Sequence, residues 1–233
     1  MRIGYLSILA ALALAACGSD VPAPDAPQAE TTSRTEAGDA MAVMGPELRI
    51  LAFGNSLFAG YGVEQAESYP ARLEASLRAR GINARVTNAG VSGDTSAAGR
   101  QRLAFALDSM EQAPDLAIVE LGGNDLLRGI EPSETLANLD AIVKELRDRD
   151  VAVLLMGMRA PPNMGAEFQA EFDGLYSALA SKHGAALVPF FLEPVYDQPR
   201  LMQPDRIHPT APGIERLVSA TIDDVAESLP PPG

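Results

Sequence analysis

Two short apolar runs, LAIVEL at residues 116–121 and VAVLLM at 151–156, do most to limit what this chain can fold into. A strand buried on one face alternates apolar and polar residues. An unbroken apolar run belongs to a strand covered on both faces, which is the condition of a parallel sheet between helical layers. The intervening segments supply the helices. Residues 69–80 place Leu73 and Leu77 four apart and stop at Gly81, and residues 96–110 end before Pro114. Residues 132–149, with Ser133 as the expected cap, carry Leu136, Leu139, Ile142, Val143 and Leu146 on one face. Further helices are expected at 167–183, closed by Gly184, and at 211–229. Strands are expected at 48–53, 84–87 and 186–189. The fold class is therefore α/β: a three-layer α/β/α, flavodoxin-like fold with a five-stranded parallel sheet in the order 2-1-3-4-5.

The first 46 residues are of a different kind. Met1-Arg2 precede an apolar, small-residue stretch that is too short to span a bilayer and ends at Cys17. The plainer reading is an ordinary secretory signal. Leu14-Ala15-Ala16-Cys17, however, resembles the lipobox of bacterial lipoproteins, in which the cysteine is lipidated and becomes the mature N-terminus. Residues 18–46 hold no aromatic residue and are rich in Pro, Ala, Ser, Thr, Asp and Glu, the composition of a tether. The expected organisation is a signal peptide at 1–16, lipidated Cys17 and tether at 17–46, a globular domain at 47–229 and a tail at 230–233. The protein is expected on the periplasmic side, anchored by its lipid; a soluble periplasmic or secreted form is the alternative. With one cysteine there is no internal disulfide. A net charge of −13 without a basic cluster argues against nucleic acid as a partner and against attraction to anionic lipid, so the N-terminal lipid is the only membrane contact expected.

In a parallel sheet of this order, all strand C-termini lie along one edge, and ligands bind there. Four unusual loops should meet at that edge: Gly54-Asn55-Ser56, the stretch from Asn88 to Thr95, Gly122-Gly123-Asn124-Asp125, and Asp205-Arg206-Ile207-His208. Singly, each has a plainer reading, with Ser56 a helix cap and Gly93 and Asp94 turn residues. His208 is harder to set aside. The chain has two histidines, and His183 reads as a helix C-terminal residue favoured by the dipole. Together the loops supply what acyl transfer requires. Ser56 is a nucleophile, His208 its base and Asp205 the carboxylate that fixes the imidazole tautomer. The amides of Ser56 and Gly93 and the side chain of Asn124 are donors for an oxyanion. The loop after the fourth strand, with Arg159, Pro161 and Asn163, is the expected wall for an acyl group.

These segments resemble the SGNH, or GDSL, hydrolase family across nearly the whole globular part. GNSLFAGYGV, NAGVSGDTSAAG, ELGGNDLLRG and DRIHPT match its blocks, and PFFLEPVY and MQPDRIHP point to the bacterial thioesterase/arylesterase/lysophospholipase branch. The resemblance implies a serine esterase acting on small-molecule carboxylic esters, thioesters or lysophospholipids, and the mixed small and apolar make-up of the loop after the fourth strand suggests short to medium acyl chains. No cofactor and no metal are expected, since no ligand-spaced cluster exists in the sequence. One departure stands out: the family's Gly-Asp-Ser is Gly54-Asn55-Ser56 here. Two other classes compete. A flavin-binding flavodoxin-like protein would need a Ser/Thr-rich phosphate loop after the first strand, and GNSLFAG is poor in these residues. A non-catalytic surface lipoprotein would have a decayed site, whereas the full Ser/Gly/Asn/Asp/His set is present. The N-terminal reading makes its own prediction: Cys17→Ser releases the protein from the membrane fraction, as fractionation and immunoblotting of expressing cells will show, and unchanged membrane association would refute the anchor.

Overall fold

The computed structural model describes residues 43–231. The expected signal segment, Cys17 and nearly all of the tether lie outside the described residues. Five parallel strands, β1 (Met44–Gly54), β2 (Ile82–Gly90), β3 (Leu116–Glu120), β4 (Ala152–Met156) and β5 (Ala186–Val188), form one sheet in the order β2-β1-β3-β4-β5. Among the described residues seven α-helices accompany them: α1 (Ser56–Ala59), α2 (Tyr69–Ala79), α3 (Ser96–Asp108), α4 (Gly123–Leu127), α5 (Pro132–Asp148), α6 (Ala166–His183) and α7 (Ala211–Ser228). Helix α2 packs with α7, and α5 packs with both α3 and α6, giving the two helical layers.

The central strands are buried as their sequence dictates. Every residue of β3 is buried, and Ile50 to Phe53 of β1 are fully enclosed. Burying a Leu, Ile, Val or Phe side chain contributes roughly 1.5–3 kcal/mol each, so these strands and the inward faces of α2, α5 and α7 supply most of the core. Edge strand β2 shows no such run; Arg85, Thr87 and Asn88 line a partly exposed edge.

Several boundaries differ from expectation for physical reasons. Strand β1 begins at Met44 and so takes in residues assigned to the tether; its register slips between Met44 and Leu48. Strand β2 is longer than 84–87 because it pairs with β1 from Leu48 through Gly54. Helix α5 is capped at Glu131 and opened by Pro132, which leaves Ser133 inside the first turn and not at the cap. His183 does not cap α6. Its Nε2 contacts Asp140 Oδ1 on α5 at 2.7 Å, and the Gly184 amide closes the helix by donating to Ala180 O. Helices α1 and α4 were not expected: each is about one turn, too short for a periodic pattern to register.

The end of β2 lies directly against α1. Asn88 Nδ2 donates to Phe58 O at 2.9 Å, and a Cβ on Gly90 would lie 2.3 Å from the Ala59 nitrogen and 2.7 Å from the Phe58 carbonyl carbon. These are backbone atoms of a short helix and cannot swing aside. Gly90→Ala is therefore expected to cost about 1–3 kcal/mol of stability by overpacking, read as a lowered urea midpoint with an unchanged m-value.

Candidate active site

The site begins where β1 ends. Asn55 caps α1, its Oδ1 accepting from the Leu57 amide at 3.0 Å, so the capping role belongs to Asn55 and Ser56 is the first helical residue. Beneath it lies Glu120, the last residue of β3 and fully buried. The Asn55 amide donates to Glu120 Oε2 at 3.2 Å and Asn55 Nδ2 donates to Oε1 at 2.9 Å. Burial pushes the Glu120 carboxyl up to about 8, against the downward pull of these two donors.

The histidine comes from the other end of the chain. Residues 201–210 fold back on themselves through a bridge between Met202 and Pro209, with Gln203 N donating to His208 O at 2.7 Å. Asp205 Oδ1 accepts from the amides of Ile207 and His208, at 2.9 and 3.1 Å, and this turn presents the histidine ring. Asp205 Oδ2 lies 2.7 Å from His208 Nδ1, and that hydrogen bond holds its carboxyl down at about 2. An ionised Asp205 can only accept, so Nδ1 carries a proton, and in the neutral ring Nε2 is then the nitrogen with the lone pair. Ser56 Oγ is 2.8 Å from Nε2, its partner 152 positions away in sequence. The hydroxyl also lies 3.3 Å from Asn55 Oδ1, a longer alternative for its single proton.

Gly93 and Asn124 approach from two further loops. Gly93 has φ 88. Its carbonyl accepts from Arg128 Nη2 at 2.8 Å, while the next residue, Asp94, is bound through its side chain by Arg102 Nε at 2.5 Å. Arg102 also donates to Gly54 O at 2.9 Å and lies over the Phe53 ring at 4.1 Å, which ties the loop to the end of β1. Asn124 Nδ2 donates one hydrogen to Asp94 O at 2.9 Å, which fixes the amide and leaves its second hydrogen unspent. The backbone amides of Ser56 and Gly93 have no protein acceptor among the described residues. Below the loop, buried Asp125 accepts from the Ser96 amide at 2.8 Å and from the Ser96 and Thr135 hydroxyls, pinning α4 to α3 and α5.

A cavity of about 180 Å³ opens beside Ser56 and Asn124, walled by Leu126, Leu127, Met158, Phe190, Leu192 and Ile207. Of the three residues expected to wall an acyl group, Arg159 lines it. Pro161 and Asn163 do not: they lie at the turn that leads into α6 and are exposed. Phe190 and Leu192, from the loop after β5, were missed. The signal available for them is the apolar run within PFFLEP, between a strand and the histidine loop; both side chains are half-buried. No group of His, Cys, Asp and Glu able to hold a metal occurs among the described residues.

A hydroxyl, an imidazole and a carboxylate in series at the C-terminal edge of a parallel sheet, with unspent amide donors beside them, is the build of a serine hydrolase. The comparisons with known proteins give the family. The profile of the GDSL-like lipase/acylhydrolase family matches residues 52–216, and the chain belongs to this family. It is 63% identical to AlinE4, an SGNH-hydrolase family esterase, whose crystal structure superposes with a TM-score of 0.68 over 81% of this chain and 100% of that one. Esterase TesA of Pseudomonas aeruginosa is 40% identical over 169 residues, 72% of this chain and 83% of the relative. The thioesterase 1/protease 1/lysophospholipase L1 of Escherichia coli K12 is 39% identical over 160 residues, 69% and 74% of the respective chains.

The Asn55–Glu120 pair yields a pH-dependent prediction. Asn55→Asp replaces the Nδ2 donor by a second carboxyl, and the two buried acids must share a proton. Activity at pH 6 should stay within about tenfold of wild type, roughly 1.4 kcal/mol. The folded state then holds a proton that the unfolded state has lost, so stability falls as pH rises, by up to about 1.4 kcal/mol per unit for each retained proton. Urea midpoints at pH 6 and 9 should separate variant from wild type more at pH 9; equal separation would refute the shared proton.

Proposed function

We propose that the protein is a serine carboxylic ester hydrolase working through an acyl-enzyme, with Ser56 as nucleophile, His208 as general base and acid, and Asp205 as the carboxylate that orients the ring. The observation that carries this reading is the pair of contacts at His208, 2.8 Å from Nε2 to Ser56 Oγ and 2.7 Å from Nδ1 to Asp205 Oδ2. In the first half-reaction Ser56 Oγ attacks the ester carbonyl carbon as its proton passes to Nε2. The tetrahedral oxyanion is received by the amides of Ser56 and Gly93 and by the free hydrogen of Asn124 Nδ2. Collapse breaks the bond to the leaving oxygen, which takes the proton from His208. Water then attacks the acyl-enzyme by the same route and releases the acid.

The His208 hydrogen bond holds the Asp205 carboxyl down at about 2, so the carboxylate that orients the ring is ionised well into the acid range. The apolar walls of the cavity suit the hydrocarbon of a short to medium acyl chain. Thioester and lysophospholipid hydrolysis, for which the Escherichia coli relative is named, require the same relay and differ in the leaving group. An exported enzyme held to a membrane by lipid on Cys17 belongs to the same proposal and rests on the sequence of residues 1–17.

A fluorophosphonate probe is expected to label the wild-type protein at Ser56 and to leave Ser56→Ala unlabelled and inactive on 4-nitrophenyl esters. Asp205→Asn, which favours the wrong tautomer, is expected to lower kcat by about 10⁴-fold. Labelling or turnover by Ser56→Ala would overturn the assignment.

A further inference from the structure

Tyr61 has no place in the relay just described, yet its ring centroid lies 4.4 Å from that of His208, with the planes inclined by 32°. It is 54% exposed, so it is not a core residue whose packing explains its position. The loop that carries it is tied to the histidine loop by one side chain. Gln203 Nε2 donates to Tyr61 O at 2.8 Å and to Pro209 O at 3.0 Å, while the Gln203 backbone donates to His208 O and accepts from Arg206 N. Gly62 makes this possible: a Cβ there would lie 2.4 Å from Gln203 Oε1. One amide thus spans the loop after α1, which follows the nucleophile, and the loop that bears the base.

We infer that Tyr61 is a positioning residue for the acyl-transfer reaction: its ring covers one face of the His208 imidazole, fixes the ring plane toward Ser56 and stabilises the imidazolium that forms during attack, and Gln203 holds it there. The inference rests on the reading of His208 as the base. The electron-rich face of an aromatic ring attracts a cation, and at a partly desolvated site this is worth about tenfold in rate. The groups around the imidazole are distinct. Asp205 meets Nδ1, Ser56 meets Nε2 and Tyr61 covers a face. Arg206 is next in the chain, and Glu64 and Glu67 stand farther out along the Tyr61 loop, beside Gly62 and Gln203.

Tyr61→Phe keeps the aromatic face and Tyr61→Leu keeps only apolar bulk. With 4-nitrophenyl esters, Tyr61→Phe is expected to stay within about twofold of wild type. Tyr61→Leu is expected to lose roughly tenfold in kcat and in the fluorophosphonate labelling rate of Ser56, with little change in KM or melting temperature. Gln203→Ala should move kcat in the same direction. A readout on the unsubstituted protein stands even if a variant fails to fold: the ring current of Tyr61 should place the His208 ring-proton resonances upfield of those of His183, assigned with His183→Gln. Wild-type kcat in Tyr61→Leu, a loss confined to KM, or an unshifted His208 resonance would each overturn the inference. Failure of the underlying reading looks different, since Ser56→Ala would then keep its activity.

Discussion

One rung of the sheet determines where the chemistry can occur. Gly54 is paired with Gly90 on one side and with Glu120 on the other, and all three strands point the same way. Side chains alternate across a strand, so a slip of one residue between β1 and β3 would turn Glu120 away from Asn55 and bring a neighbour under the nucleophile turn. The slip is opposed by the unbroken burial of β3 and of Ile50 to Phe53, which fill both faces of the sheet. The register that packs the core is thus the register that sets Ser56 at the edge. The Gly93 loop leaves from the same rung: Val91 N donates to Gly54 O, and Arg102 grips that carbonyl as well.

The rung also accounts for Asn55. Its side chain must accept from the Leu57 amide above and donate to Glu120 below, and a neutral amide does both with one orientation. An aspartate could satisfy Leu57 but would meet Glu120 only by sharing a proton with it, which ties the pair to pH. Glu120 is costly to bury, and its carboxyl rises to about 8 because two donors do not make up for lost solvation. What the arrangement secures is direction. The Asn55 side chain, held at both ends, fixes the first turn of α1 and with it the line from Ser56 Oγ to His208 Nε2.

How much of this was legible in the chain follows from which forces are local. LAIVEL and VAVLLM announce a doubly covered sheet, and five strands alternating with helices fit the flavodoxin-like order 2-1-3-4-5. Ser56, Asp205 and His208 stand out as candidates because the strand C-termini converge and because a chain with two histidines leaves few choices, and the structure brings the three side chains into contact. Glu120 could have been suspected as the one acid in an apolar run, but nothing local says what lies beneath it. Arg128, Tyr61 and Gln203 act through contacts between segments far apart in sequence, as does Arg102 of α3 in reaching Gly54 O, and no periodicity marks them. Pro161 and Asn163 were misplaced by the opposite error. Nearness in sequence to Arg159 was taken for nearness to the cavity, whereas the chain turns away there to begin α6.

The arginines around the site serve its loops more than they serve a ligand. In a chain of net charge −13, cations near a cavity suggest an anionic ligand. Their partners argue otherwise. Arg102 is engaged by Asp94, by a backbone carbonyl and by an aromatic face; Arg128 holds the Gly93 carbonyl; Arg159 lies over Phe190 at 5.1 Å, with Glu193 3.7 Å from its guanidinium. Arg206 stands at the cavity mouth, while the walls behind it are Leu, Met, Phe and Ile. Most of this positive charge is therefore used to hold loops and orient peptides, and the surface removed from water on binding is apolar, worth about 25 cal/mol per Å². Selection by hydrocarbon shape, with the carbonyl drawn to fixed amide donors, is the recognition such a site can provide, and it is the recognition that a neutral acyl ester requires.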